Sequence, residues 1–260
     1  MANQPHIVFQ SSIGKQKPQT YTKKEITCPF CDREQLENII SEDGNILFLM
    51  NKYPVLKDTL QTLIIETDEC DSDLSKYPKE HLYRFFKFAL KHWFELMKRP
   101  EYKSVILFRN FGPLSGGTIA HPHSQIIGFE NYDYVENILP SDFEGLLIEK
   151  KNGVEFTIST KPKVGFTEFN VMMEGLGDIH QFADYTQLAS HYILNHFPYK
   201  CSSYNIFFYY FEGNVIAKIV PRFVTTPLFI GYNIQQVSNN LEEIVSSIHR
   251  YFEGRDIHGI

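Results

Sequence analysis

The stretch GGTIAHPHSQIIG, residues 116–128, carries the most information in this sequence. Two glycines come first, two histidines then flank a proline, and a serine and a glutamine precede a pair of isoleucines. The apolar residues at its end predict a strand over residues 121–129. Residues two apart in a strand face the same side of the sheet, so His121 and His123 are predicted to project together.

The proline between the two histidines limits where this strand can lie. Pro122 donates no ladder hydrogen bond, which predicts that this end of the strand lies at an edge or a mouth of the sheet. Two half-exposed histidines on an edge strand would explain an isolated His-x-His pair equally well. The interpretation therefore depends on the partners that the rest of the chain offers to His121 and His123.

One such partner is the segment Cys28-Pro29-Phe30-Cys31 near the start of the chain. A two-residue spacer lets both thiolates bind one metal ion from a tight turn. A redox pair is the alternative, but it needs a helix beginning at the first cysteine within a βαβ pattern, and the sequence predicts none. The residues alone thus favour a metal site of Cys28, Cys31 and one histidine, with a fourth ligand still to be identified.

Composition excludes several classes of protein. The chain has 260 residues, of which 43 % are hydrophobic, so it is long and apolar enough to bury a large core. Its net charge of −6 argues against a nucleic-acid-binding surface. No apolar stretch approaches the ~20 residues of a membrane helix, and the first ten residues do not resemble a signal peptide. We therefore expect a cytoplasmic protein with reduced cysteines that binds neither nucleic acid nor membranes.

Apolar periodicity predicts an α+β protein whose two halves are alike. A strand, a helix and a hairpin follow one another twice, and strands without an intervening helix favour antiparallel pairing. We place the halves at residues 1–140 and 141–260, with residues 1–27 as an irregular arm. The predicted strands cover residues 46–50, 61–66, 104–109, 121–129, 153–159, 169–173, 204–211 and 215–220, and the predicted helices 78–99, 179–193 and 235–252.

Several segments together resemble the galactose-1-phosphate uridylyltransferase branch of the histidine triad superfamily. They are CPFC (28–31), NKYPVL (51–56), LIIETDEC (63–70) and NFGPLSGGTIAHPHSQ (110–125). The last block is specific, whereas CPFC and the NKYP tetrapeptide are weak alone. The resemblance is good over residues 28–129 and poor elsewhere. It implies two histidine-triad-like halves, each an antiparallel sheet with helices packed on it.

The resemblance also implies a zinc site and its ligands. In the family, the cysteine pair, a histidine ending the second strand and the first histidine of His-Pro-His bind zinc. Carried over, the ligands are Cys28, Cys31, the residue at position 70, and His121. That residue is Cys70 here instead of histidine. A Cys₃His set is a closed, structural type of zinc site, so the substitution is chemically conservative.

His123 corresponds to the nucleophile of the family, which forms a covalent nucleotidyl-histidine. Gln125 stands where histidine triad hydrolases have a third histidine. A glutamine can hydrogen-bond phosphoryl oxygens but cannot shuttle protons, so the pattern resembles the transferases. The remaining substrate-binding residues implied by the resemblance are Asn51, Asn110, Gly116, Gly117, Thr118 and Ser124.

The expected function is nucleotidyl transfer or phosphorolysis of a nucleoside-diphosphate sugar. Two alternatives stay open: a non-catalytic or regulatory nucleotide-binding module, and a dinucleoside-polyphosphate phosphorylase or hydrolase. The second half departs from the family, because Asn214 and Ile216 occupy the positions of two histidines in a strand of HWHIEILPR type. We therefore expect a degenerate second half without a metal. The family's transferases are dimers, which implies a homodimer.

Overall fold

The structure is a computed structural model that describes residues 6–22 and 27–252. It confirms the predicted α+β class with antiparallel strands. The chain divides into two compact units, Met1–Asp73 with Arg84–Ile138 and Leu74–Tyr83 with Leu139–Ile260. Residues 74–83 thus belong with the second unit, which a single division of the sequence near residue 140 cannot describe.

The first unit contains five strands that pair in the order β1-β2-β3-β5-β4, all antiparallel. A one-turn helix, α1 (Ser11–Gly14), precedes them, and the long helix α2 lies between β3 and β4 in the chain. Their bounds are β1 Ile39–Asp43, β2 Ile46–Met50, β3 Thr59–Ile65, α2 Lys79–Met97, β4 Ser104–Phe111 and β5 His123–Phe129.

The second unit repeats this arrangement with strands in the order β6-β7-β8-β10-β9. Helix α3 lies between β8 and β9 in the chain, as α2 lies between β3 and β4. The matching strand orders confirm the two related halves predicted from the sequence. The bounds are β6 Gly145–Lys151, β7 Val154–Ser159, β8 Phe169–Glu174, α3 Ile179–Asn195, β9 Tyr204–Phe211, β10 Asn214–Pro221, α4 Pro227–Tyr232 and α5 Leu241–Phe252.

Helix α2 covers one face of the first unit's strands. Its apolar residues recur at helical spacing, so one side of the helix is buried. Trp93 is fully buried and donates its indole N–H to the Val105 carbonyl of β4, at 2.9 Å. His92 stacks on Phe48 of β2 with ring centroids 4.5 Å apart. The opposite face of β2, β3 and β5 is therefore left for other segments to cover.

Three sequence predictions about elements are wrong. The last helix begins at Leu241 rather than near residue 235, because Val237 is 52 % exposed and finds no core to pack against. Strand β1 was missed because its residues are exposed and lack an apolar period. Strand β5 starts at His123 rather than at residue 121, and it lies between β3 and β4, so of the two positions predicted for Pro122 the edge of the sheet is wrong.

Residues 6–22 form the described part of the N-terminal arm. Apart from α1 this segment is irregular, as predicted, and Phe9 forms an isolated antiparallel bridge with Leu56. Residues 23–26 of the predicted arm lie outside the described residues. In the described part of the chain, every helix is too short or too polar to serve as a membrane span.

Candidate functional site

The first residues of β5 place two polar side chains on the face that α2 leaves open. His123 and Gln125 are two residues apart in this strand and therefore share a face. They pair with Ile65 and Leu63 of β3, respectively. Leu63 and Ile65 belong to a buried apolar cluster that also contains Phe30. His123 and Gln125 therefore lie directly beside this apolar cluster.

The environment of His123 fixes one ring nitrogen and frees the other. Its Nδ1 lies 2.8 Å from the carbonyl oxygen of His121, so Nδ1 carries the proton and donates it to that oxygen. The Phe30 ring packs edge-on against the imidazole, with centroids 5.4 Å apart. Burial lowers the pKa of His123 below its usual value. The imidazole is therefore neutral at pH 7, and its Nε2 holds an available lone pair.

Cys28, Cys31, Cys70 and His121 converge as the resemblance implied. Their ligand atoms all lie within 4.8 Å of one another. The Nδ1 of His121 is 3.6 Å from the sulfur of Cys28 and 3.6 Å from that of Cys31. A tetrahedral zinc ion with bonds of about 2.3 Å to sulfur and about 2.05 Å to nitrogen separates such atoms by about 3.5–3.6 Å. The four residues therefore fit zinc in both donor type and spacing.

Hydrogen bonding orients the histidine of this cluster. His121 Nε2 lies 2.8 Å from the Thr67 carbonyl oxygen and donates to it, so Nδ1 is the nitrogen free to bind a metal. Burial raises the pKa of the Cys28 thiol and of the Cys70 thiol. Without a cation these thiols would stay neutral at pH 7, whereas a bound Zn²⁺ deprotonates coordinating thiols.

Residues 65–70 connect the cysteine cluster to His123 through a series of main-chain contacts. Ile65 pairs with His123, and the Glu66 N–H donates to the Pro122 carbonyl at 3.1 Å. Thr67 accepts the hydrogen bond from His121, and Cys70 contributes the third sulfur. One short segment therefore holds both histidines of the His-Pro-His sequence in place.

A cleft of about 70 Å³ opens beside His123 and Gln125. Five of the predicted substrate-binding residues line it, namely Asn51, Asn110, Gly116, Gly117 and Thr118. Gly116 has φ = +83°, a backbone conformation that other residues rarely adopt. A Cβ at Gly117 would lie 3.2 Å from the Cβ of Asn110, so a larger residue would displace β4 or the Gly-rich loop (residues 112–120) by a few tenths of an ångström.

A second cleft of about 350 Å³ shares Phe30, Asn51, Tyr53 and Leu63 with the first. Its floor is apolar, and polar side chains such as Gln35 and Glu37 stand at its rim. This volume lies within the range of small-molecule sites in proteins. The two adjoining clefts suit a ligand with a flat, partly apolar body and a polar extension towards His123.

Ser124 lies elsewhere than the sequence suggested. It is buried on the α2 side of β5, where its hydroxyl donates to a Glu66 carboxylate oxygen at 2.7 Å. The same carboxylate accepts from the Arg109 guanidinium at 3.0 Å, in an ion pair that is almost fully buried. Ser124 therefore belongs to a buried network behind the strand and does not line the cleft of His123.

Sequence reasoning missed Lys17 and the Glu66–Arg109 pair. Lys17 lines the cleft of His123, but it lies in the arm, where no periodic pattern marks it. Glu66 and Arg109 did carry a signal, because each charge follows directly on an apolar strand run, LII and VILF. A charged side chain that is buried next to an apolar strand needs a partner of opposite charge, so the two positions could have been predicted to pair.

Family models match both halves of the chain. The N-terminal domain model of the family described as "Domain of unknown function (DUF4931)" matches residues 9–132, and its C-terminal domain model matches residues 135–252. The crystal structure of a DUF4931 family protein from Bacillus cereus ATCC 10987 is 45 % identical, with a TM-score of 0.76. The match covers 83 % of this chain and 99 % of that one.

Two enzymes share the fold at low sequence identity. A uridylyltransferase matches with 15 % identity and a TM-score of 0.69, over 89 % of this chain and 93 % of its own. An ADP-glucose phosphorylase from Arabidopsis thaliana, solved with bound ADP-glucose, matches with 14 % identity and a TM-score of 0.67, over 90 % and 92 %. Both likenesses confirm the fold expected from the resemblance. Among curated proteins, none matches this sequence.

Proposed function

The chain belongs to the DUF4931 family, and its fold is also that of a uridylyltransferase. On this basis we propose that it is a nucleotidyltransferase. Its substrate would be a nucleoside-diphosphate sugar, and transfer or phosphorolysis would proceed through a nucleotidyl-His123 intermediate. The observation that carries this proposal is the geometry of His123. A neutral imidazole, oriented through Nδ1, presents Nε2 at a cleft that a Gly-rich loop also lines.

In the proposed first step, Nε2 of His123 attacks the α-phosphorus of the nucleotide. An N–P bond forms, the bond from that phosphorus to the bridging oxygen breaks, and the sugar phosphate leaves with the electron pair. In the second step a phosphate-bearing acceptor attacks the same phosphorus and frees Nε2. Splitting the transfer into two displacements is the usual advantage of covalent catalysis.

Other residues of the cleft would stabilise the charge that develops on the phosphoryl oxygens. Gln125 can donate its amide N–H groups, and the loop at Gly116, Gly117 and Thr118 can donate backbone N–H groups and a hydroxyl. Asn51 and Tyr53 border both clefts, where a ribose would pass from one to the other. Cys28, Cys31, Cys70 and His121 would hold a zinc ion, which in a closed Cys₃His site stabilises the fold locally.

Mass spectrometry tests the proposal directly. The protein is mixed briefly with uridine, adenosine, guanosine, cytidine and thymidine diphosphate sugars in turn, and the peptide containing residue 123 is analysed. We expect an acid-labile nucleotidyl adduct on His123 with at least one donor. His123→Ala should form no adduct but should keep the metal content and the melting temperature of wild type. His121→Ala should lose the metal and melt at a lower temperature.

The main rival is a nucleotide-binding module without turnover. If nucleotides bind but no donor labels His123, that rival is correct and the transferase proposal is wrong. If dinucleoside polyphosphates label His123 and nucleotide sugars do not, the substrate class is wrong but the covalent step stands. A homodimeric assembly and a cytoplasmic location remain predictions of the sequence.

A further inference from the structure

We propose that Lys17 binds the phosphate chain of the substrate in the cleft beside His123 and neutralises its charge. The inference rests on the proposed function, because it takes the ligand of this cleft to be a polyphosphate. It adds a residue from the N-terminal arm to the site and assigns that arm a role in substrate binding.

The cleft beside His123 has little positive charge. Among the described residues that line it, Lys17 is the one lysine or arginine. Arg109 lies behind β5, paired with the buried carboxylate of Glu66. A polyphosphate placed beside His123 therefore depends on Lys17 for a full positive charge, in addition to the partial charges of backbone N–H groups.

Lys17 is half-buried, and within residues 6–22 and 27–252 no carboxylate forms an ion pair with its ammonium. Burial alone lowers the pKa of Lys17. Partial burial of an unpaired ammonium costs free energy, so the side chain is suited to an anion that enters from outside. Lys15, two residues earlier in the same segment, is exposed and does not line the cleft.

Three hydrogen bonds attach the N-terminal arm to the Gly-rich loop. The Thr20 N–H donates to the Thr118 carbonyl at 2.8 Å, and the Ala120 N–H donates to the Thr20 hydroxyl at 2.7 Å. The Gly112 N–H donates to the Tyr21 hydroxyl at 2.8 Å. These bonds hold residues 20 and 21 against both ends of the loop, and Lys17 is placed over the cleft as a result.

Inorganic pyrophosphate is a suitable probe, because its binding requires neither the correct base nor turnover. Its affinity is measured by isothermal titration calorimetry at low ionic strength for wild type, Lys17→Ala, Lys17→Arg and Lys15→Ala. We expect Lys17→Ala to bind about 10- to 100-fold more weakly, as loss of a charge-assisted hydrogen bond implies. Lys17→Arg should stay within about fivefold of wild type and Lys15→Ala within about twofold.

A salt titration separates contact from general charge. The affinity of wild type should fall with salt more steeply than that of Lys17→Ala, whose melting temperature should match wild type. Three results would overturn the inference: no pyrophosphate binding by wild type, equal affinity of Lys17→Ala, or an equal loss in Lys15→Ala. Failure of the proposed function looks different, because pyrophosphate binding would still depend on Lys17 while no nucleotide sugar labelled His123.

Discussion

His121 contacts the cysteine cluster through its ring and His123 through its main-chain carbonyl. Its ring directs Nδ1 to the sulfur atoms, while its main-chain carbonyl accepts a hydrogen bond from the Nδ1–H of His123. The intervening Pro122 has a restricted φ, which limits how far the two histidines can move relative to each other. At the scale of single residues, the candidate metal site and the orientation of the proposed nucleophile thus share one residue.

In the proposed mechanism, Gln125 influences whether the nucleotidyl-enzyme is resolved by the acceptor or by water. Gln125→Ala should slow formation of the nucleotidyl-enzyme by about 10²–10³-fold, the usual cost of one stabilising donor. Gln125→His should raise the share of intermediate that is lost to water, since histidine can move a proton and glutamine cannot. Rapid-quench kinetics with a radiolabelled donor measures both rates. A Gln125→His enzyme with the wild-type ratio of hydrolysis to transfer would contradict the assignment.

At the scale of elements, the structure depends on residues 65–70, which continue β3 into the cysteine cluster. This segment contributes a strand partner, a buried carboxylate, a carbonyl acceptor and a thiol, one after another. None of these groups comes from a helix, and each is close to a counterpart in residues 109–123. Substitutions in this segment are therefore expected to affect metal binding and folding together.

Cys70→Ser should remove the third sulfur ligand and weaken zinc binding by more than about 100-fold. Loss of a residue that only hydrogen-bonds to a ligand typically weakens binding by about 10- to 100-fold, and a direct ligand contributes more. Competition with a coloured zinc chelator measures the affinity. Cys201→Ser is the matched control, because Cys201 is buried in the second unit and its thiol donates to the Ser203 carbonyl at 3.2 Å. Equal zinc affinity of Cys70→Ser and wild type would exclude Cys70 as a ligand.

Arg109→Met should destabilise the first unit by about 3–5 kcal/mol, because it leaves the Glu66 carboxylate buried without its cation. Arg99→Met is the control in the same unit. Arg99 and Glu101 are each more than half exposed, and such pairs contribute at most about 1 kcal/mol. Urea denaturation of both variants gives the two free energies of unfolding. A loss below about 1 kcal/mol for Arg109→Met would refute the argument.

The sequence predicted the long helices, most strands and the convergence of the cysteines with His121, because these depend on local periodicity or on a specific motif. It could not predict β1 or α4, since neither has a buried face of its own to create a pattern. Ser124 was placed wrongly because a motif gives neighbours in the chain, whereas alternation along β5 turns Ser124 away from His123. Lys17 was missed because only contacts with residues 112–120 bring its segment to the cleft.

At the scale of the whole molecule, the two units share a strand order but differ in chemistry. The register of β10 places Asn214 against the last residue of β8, as β5 places His123 against the last residue of β3. Ile216 correspondingly takes the position of Gln125. In the second unit the same face buries an ion pair between Lys218 and Glu168, 3.0 Å apart. Duplication of the topology therefore does not imply duplication of the site.

We accordingly predict one zinc ion per chain. Asn214 and Ile216 offer no metal-binding set of the Cys₃His kind, whereas the first unit offers a complete one. Elemental analysis of protein purified without added metal should give a zinc-to-protein ratio near one. A ratio near zero, with folding unaffected by chelators, would contradict the site at Cys28, and an anomalous-scattering peak beside Asn214 would contradict the prediction for the second unit.

Trp93 makes the first unit optically distinguishable from the second. It is the only tryptophan in the chain, it is fully buried, and it lies in the part of α2 that belongs to the first unit. Fluorescence excited selectively at tryptophan therefore reports the unfolding of the unit that holds the candidate site, whereas circular dichroism reports both units. Coinciding denaturation curves would mean one cooperative transition, and separated curves would mean that each unit melts by itself. Trp93 is thus an intrinsic fluorescent probe for that experiment, and no label has to be attached.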